Sequence, residues 1–156
     1  MNEMEKKAYI FGGILTLANR LQALGDKLDE NITLKQWLLI AVILKSGQSS
    51  PTISEVAKLI GNSRQNVKKM ALLLEKQGFV SLIKDDHDAR IFRVHLTPQC
   101  STYFQDRSEK EMQFMNALFD SFDENLTNGL YEGIVHLANN VTRMENVYEV
   151  EGEDRG

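Results

Sequence analysis

Cysteine is nearly missing from these 156 residues. The single thiol, Cys100, excludes an intramolecular disulfide framework and suits a reducing cytoplasm, the expected location. Long apolar runs are missing as well. The longest, residues 37–44, lies between Lys35 and Lys45, far short of the ~18–20 residues that cross a bilayer, so no membrane partner is expected. The opening MNEMEKK puts acids ahead of its lysines and leads into a helical pattern, a poor secretory signal. No Ser-His-Asp arrangement, glycine-rich phosphate loop or paired-carboxylate motif stands out, so the expectation is a non-enzyme without a cofactor. His87, His95 and His136 lack compact metal-ligand spacing, and His95 and Cys100 are separated by a strand-to-helix junction. No metal site is expected.

An excess of positive charge is also lacking. The formal net charge is −4, which at first argues against nucleic acid. The distribution reverses that impression. Residues 64–93 carry seven basic side chains (Arg64, Lys68, Lys69, Lys76, Lys84, Arg90, Arg93) against four acids (Glu75, Asp85, Asp86, Asp88), a local +3 that leaves −7 on the remainder. Salt screens charges beyond about 8 Å at physiological ionic strength, so a basic segment on an acidic body can still meet a polyanion. Charge alone does not decide the matter. The length suits one domain with a real hydrophobic core.

What is present is an ordered series of amphipathic segments. Ile10, Phe11, Ile14, Ala18, Leu21, Leu24 and Leu28 recur at three and four, one face of a long first helix. Gly12 and Gly13 interrupt it and mark either a close helix approach or a hinge. Thr33 and Gln36 have capping-box spacing and open a second, apolar and central helix. After the loop of residues 46–51, Thr52 and Glu55 repeat that spacing before a short third helix with Ile53, Val56, Ala57 and Ile60 inward. Gly61-Asn62 is a tight turn. Ser63 then caps a fourth helix with Val67, Met70, Ala71 and Leu74 inward, and Gly78 falls just past its end. Two short helices joined by a glycine turn make a helix-turn-helix.

Strand-like residues 80–84 and 91–96 follow, with Phe92, Val94 and Leu96 alternating with Arg93 and His95. The charged tip between them makes this hairpin a wing. Thr97-Pro98 starts a fifth helix, whose stripe continues through Met112, Met115, Phe119 and Phe122. A last helix carries Leu126, Leu130, Ile134, Leu137, Val141, Met144 and Tyr148, and residues 149–156 read as an acidic, disordered tail.

Residues 86–97, DHDARIFRVHLT, resemble the wing signature of MarR-type regulators: an aspartate, one residue, an arginine, then a strand ending in Leu-Thr. Residues 63–80, SRQNVKKMALLLEKQGFV, are similar to that family's recognition helix and its Leu-Glu-x-x-Gly ending. With the helix order, the resemblance spans about residues 5–148. Two departures stand out. Cys100 occupies a position where many relatives have glycine, and Lys68-Lys69 stand where many have Thr-Arg.

The resemblance implies a mainly α fold of about six helices with a small β-hairpin wing, a winged helix-turn-helix over about residues 33–97. Residues 4–30 and 98–148 would form the dimerisation helices of a single unit, 1–148, whose terminal apolar stripes the small winged core cannot cover. The alternative is that both stripes fold back onto one monomer. The implied partners are double-stranded DNA and a second copy of the chain, and the implied role is a transcriptional regulator, more often a repressor. On the recognition helix, Ser63, Arg64, Gln65, Asn66, Lys68 and Lys69 are the candidate DNA contacts. Arginine can bridge guanine O6 and N7, while Gln or Asn can pair with adenine. On the wing, Arg90 is implied to enter the minor groove, with Asp88 orienting it.

Relatives are often released from DNA by a small aromatic or anionic molecule. Phe11, Trp37 and Phe104 are the candidates to line such an effector cleft, against the plainer reading that they are core. Cys100, near the start of the fifth helix, is a candidate redox switch because a helix N-terminus lowers a thiol's pKa, or simply a small buried hydrophobe. From a different class, the alternative function is a winged-helix protein-interaction module that no longer binds DNA.

Overall fold

The capping pairs close as reciprocal boxes in the structure, a computed structural model that describes residues 1–154. Thr33 Oγ1 accepts from the Gln36 N–H at 3.2 Å while Gln36 Oε1 accepts from the Thr33 N–H at 3.0 Å. Thr52 and Glu55 repeat the exchange at 3.1 and 3.2 Å. Each box satisfies amides that the first turn of a helix leaves without partners. They open α2 (Leu34–Lys45) and α3 (Ile53–Ile60), and a third box between Asn2 and Glu5 opens α1 (Glu3–Asp26).

Gly61, at φ 69°, ends α3 in the left-handed region that a residue with a Cβ avoids. Ser63 Oγ then accepts from the Asn66 N–H at 3.1 Å and starts α4 (Arg64–Lys76). Gly78, at φ 85°, turns the chain into β1 (Val80–Lys84). This strand pairs antiparallel with β2 (Phe92–Leu96), Val80 opposite Leu96 and Lys84 opposite Phe92. Thr97 accepts from the Cys100 N–H and starts α5 (Pro98–Asp106), followed by α6 (Ser108–Leu118) and α7 (Glu124–Asp154).

The chain forms two compact units that divide between Asp106 and Arg107. The first holds the core. Leu39 and Ile40 of α2, Val56 of α3, Val67 and Leu74 of α4, and Val80 and Val94 of the hairpin are fully buried together, with Cys100 of α5. The inward residues expected for α3, α4 and the strands therefore meet in one cluster. Truncating any of the large ones to alanine costs about 2–5 kcal/mol. A second edge of β2 is used as well: the Val94 N–H donates to Pro51 O at 2.9 Å, and Thr52 bridges Arg93.

Four features differ from the sequence reading. The fifth helix is broken, giving seven helices among the described residues: Arg107 adopts φ −100°, ψ 2°, and its carbonyl starts a new ladder by accepting from the Glu111 N–H. The apolar stripe stays in phase across the break, so periodicity does not register it. Helix α2 is buried on one face only, since Leu38 and Leu44 are exposed. Helix α7 continues to Asp154, through most of the segment read as a disordered tail, because glutamate-rich sequence without proline can prolong a helix; residues 155–156 lie outside the described residues. Finally, α1 is continuous through Gly12 and Gly13, and a Cβ at either would meet nothing within 4 Å. Neither glycine breaks the helix.

The terminal stripes are exposed. On α1, Ile10, Phe11, Ile14 and Leu24 face solvent, as does Leu28 just past its end, and on α7 so do Leu130, Ile134, Leu137, Val141 and Met144. No helix is long and apolar enough to cross a membrane among the described residues.

Candidate nucleic-acid interface

Helix α4 buries Val67, Ala71 and Leu74. At about 3.6 residues per turn, the row directly opposite them is Gln65, Lys69, Leu72 and Lys76, all exposed. Arg64, Lys68 and Glu75 fall on one flank of that row, and Asn66 and Leu73 on the other. The six candidates on this helix thus separate by role. Arg64, Gln65 and Lys69 present their side chains outward at the start of the helix. Ser63 is engaged as the cap, and Asn66 Nδ2 donates to Asn62 Oδ1 at 3.0 Å, bracing the turn. Lys68 stands with its Nζ 4.7 Å from the centroid of the Phe92 ring, so its ammonium lies against the rung of the hairpin next to the tip.

The wing tip is organised by two carboxylate–arginine pairs. Asp88 Oδ1 accepts from the backbone N–H of Arg90 at 3.0 Å and from its Nε at 3.1 Å, and Oδ2 accepts from Nη2 at 3.0 Å. The Arg90 side chain is nonetheless 90% exposed. Asp88 therefore fixes the direction of the guanidinium and leaves the outer N–H groups of its fork available. The Arg90 side chain and amide hold the Asp88 carboxyl below its ordinary pKa, and Asp88 pushes Arg90 up. The pair is charged at neutral pH.

Sequence reading missed the second pair. Asp85 Oδ1 accepts from Arg93 Nε at 2.7 Å, and Asp85 Oδ2 accepts from the amides of His87 and Asp88 at 3.1 Å. The hydrogen bond from Arg93 is the main cause that lowers the Asp85 pKa. Arg93 Nη1 also donates to Ser50 O at 3.0 Å, which ties the root of the tip to the loop between α2 and α3. Asp85 and Arg93 were visible only as charges near a turn. Their partners lie eight and 43 residues apart, and nothing local predicts such contacts.

Residues 30–91 match the MarR family model. The segment that folds as the winged lobe is therefore similar to the MarR family. Solved structures extend the likeness of fold beyond that segment. A MarR transcriptional regulator from Methanosarcina mazei Go1 superposes with a TM-score of 0.77 at 18% identity, over 88% of this chain and 99% of that one. FabT of Streptococcus pneumoniae, solved in complex with DNA, gives 0.64 at 18% identity over 88% and 99%. An organohalide-sensing transcriptional regulator in its 2,4-dichlorophenol-bound form gives 0.71 at 16% identity over 90% and 85%. No curated protein matches by sequence. The chain thus has the fold of MarR-family transcriptional regulators, which are generally not enzymes.

Two further sites read from the sequence look different within the MarR-type lobe. Cys100 is buried, and burial pushes its thiol pKa up. Desolvation disfavours the thiolate, and the side chain packs within the hydrophobic core. Of the three aromatic candidates, Trp37 and Phe104 pack against the hydrophobic core, whereas Phe11 is 68% exposed on α1. Phe104 also stacks edge-on against Tyr103, which meets Phe79. Among the described residues, no three His, Cys, Asp or Glu side chains are grouped to hold a metal.

Proposed function

We propose that this protein is a sequence-specific, double-stranded DNA-binding transcriptional repressor that acts as a homodimer on an inverted-repeat operator. The observation that carries the reading is the presentation of Arg90: an arginine oriented by Asp88 yet almost wholly exposed, on a wing rigidly joined to a helix whose outer row begins with Gln65 and Lys69. A helix of this size enters the major groove, where Arg64 and Gln65 can read base edges. The wing then reaches the adjacent minor groove, whose negative potential attracts an arginine. Lys68 and Lys69 supply phosphate contacts. Repression follows from occupancy, since a dimer seated over promoter DNA excludes other proteins from it.

The exposed apolar stripes of α1 and α7 support the homodimer, because surface of that kind on a monomer marks an interaction site. An effector is the third part of the reading. The dichlorophenol-bound neighbour supports a small aromatic or anionic molecule, with Phe11, Trp37 and Phe104 as the residues to test.

Selection of bound sequences from a random DNA pool tests the whole proposal. An inverted repeat with half-site centres about one DNA turn apart is expected, ~10 base pairs. If the protein fails to bind even random DNA at low salt, the winged-helix protein-interaction module becomes the better reading. Individual phosphate contacts are read from the salt dependence. Lys69→Ala and Lys68→Ala should each flatten the slope of log K against log salt by about one unit. An unchanged slope for either variant assigns that lysine to solvent in the complex.

A further inference from the structure

The two strands of the wing are gripped by two side chains of α4. The Asp85 N–H donates to Ile91 O at 2.9 Å, which sets the phase of the ladder. Bonded pairs alternate with unbonded ones in an antiparallel hairpin, so the pair formed by Leu82 and Val94 directs both amides outward. Val94 donates to Pro51 O on its side. On the other side, the outward N–H of Leu82 donates to Glu75 Oε2 at 2.7 Å. A carboxylate accepting from an edge amide makes a charge-assisted bond to a strand that water would otherwise solvate.

Glu75 stands in the last turn of α4, where the helix dipole disfavours an anion. Its acid therefore gains nothing from the dipole of its own helix and bonds the strand instead. Two turns earlier on the same flank, Lys68 lies over the ring of Phe92 in β2. Helix α4 thus holds β1 through Glu75 and β2 through Lys68.

We propose that Glu75 is a positioning residue for DNA binding: its carboxylate sets the angle between the recognition helix and the wing, so that Arg90 meets the minor groove when α4 is seated in the major groove. This rests on the DNA-binding reading above and adds a residue that touches no DNA. Losing the contact leaves the lobe folded, because the buried core does not include Glu75, but frees β1 to rotate about its connection at Gly78. The tip, beyond Lys84, amplifies that rotation.

The test is a double-mutant cycle on the duplex recovered by selection, with wild type, E75A, E75Q, R90A and E75A/R90A, each checked for its Tm. E75A should weaken binding about fivefold, the net scale of one ordinary hydrogen bond, and E75Q should recover most of it because its amide oxygen still accepts. In the R90A background, E75A should cost less than about twofold, since a wing without its arginine gains nothing from alignment. Four results would overturn the inference: E75A binding as wild type, E75A binding more tightly (a carboxylate that merely repels DNA), E75Q as weak as E75A, or losses that simply add. If R90A itself costs nothing, the wing reading falls and this inference falls with it; if R90A costs binding and E75A does not, only Glu75 is removed.

Discussion

Replacing Arg90 with alanine should weaken DNA binding at least about tenfold and leave the thermal unfolding midpoint nearly unchanged. The asymmetry follows from exposure. The Arg90 side chain is 90% exposed and touches Asp88, its neighbour on the same tip, and an exposed pair of this kind adds little to folding. Its value lies in what an oriented guanidinium can do when DNA arrives. Asp88 has already removed part of the rotamer freedom that binding would otherwise consume. Gel-shift titration beside a thermal melt measures both quantities. Wild-type affinity for Arg90→Ala would remove the wing from the mechanism, and a large fall in Tm would make Arg90 a structural residue.

The largest effect is expected from a charge placed on the stripe of α7. Ile134→Glu should convert a dimer at micromolar concentration into a monomer and reduce affinity for the full inverted repeat at least about a hundredfold. The loss is one of linkage. Two lobes joined in one particle make the second binding event intramolecular, a gain of roughly 10²–10⁴ with no new contact. Ile134 is exposed, in line with Leu130, Leu137 and Val141, so a glutamate there breaks no core packing in the single chain. Asn128→Glu, on the opposite side of the helix, controls for charge alone and should change neither property. Sedimentation and titration on full and half operators separate the cases. Wild-type protein that sediments as a monomer would sink the homodimer, and Ile134→Glu that remains dimeric would move the interface off α7.

The local rules were legible because they act over three or four residues. Thr33 with Gln36 and Thr52 with Glu55 announced their helices by spacing alone, Gly61 announced a turn and Gly78 a helix end, and the alternation of Phe92, Val94 and Leu96 announced a strand. Their order along the chain was enough to draw a winged helix-turn-helix. The family resemblance pointed to Arg90 and Asp88 for the same reason, since both sit two residues apart in one short motif.

Other features required the packed chain. The break at Arg107 does not disturb an apolar stripe that stays in phase, and so left no mark in the pattern. Cys100 presented two opposed influences, a helix N-terminus and burial. Only the folded core shows that the thiol is withdrawn from water, which pushes its pKa up. Lys68 looked like one more basic residue on an outer face until the wing folded back beneath it. Arg93 was an undistinguished charge and Glu75 only the acid of the Leu-Glu-x-x-Gly ending; their partners, the Ser50 carbonyl and the Leu82 amide, are backbone groups that carry no residue identity. By itself, then, the amino-acid order determined which segments become helices, which become the hairpin, and which side chains stand on the exposed face. Tertiary structure alone decided how recognition helix, wing and loop are locked to one another, because those bonds run between atoms far apart in the chain and depend on the register in which the strands meet.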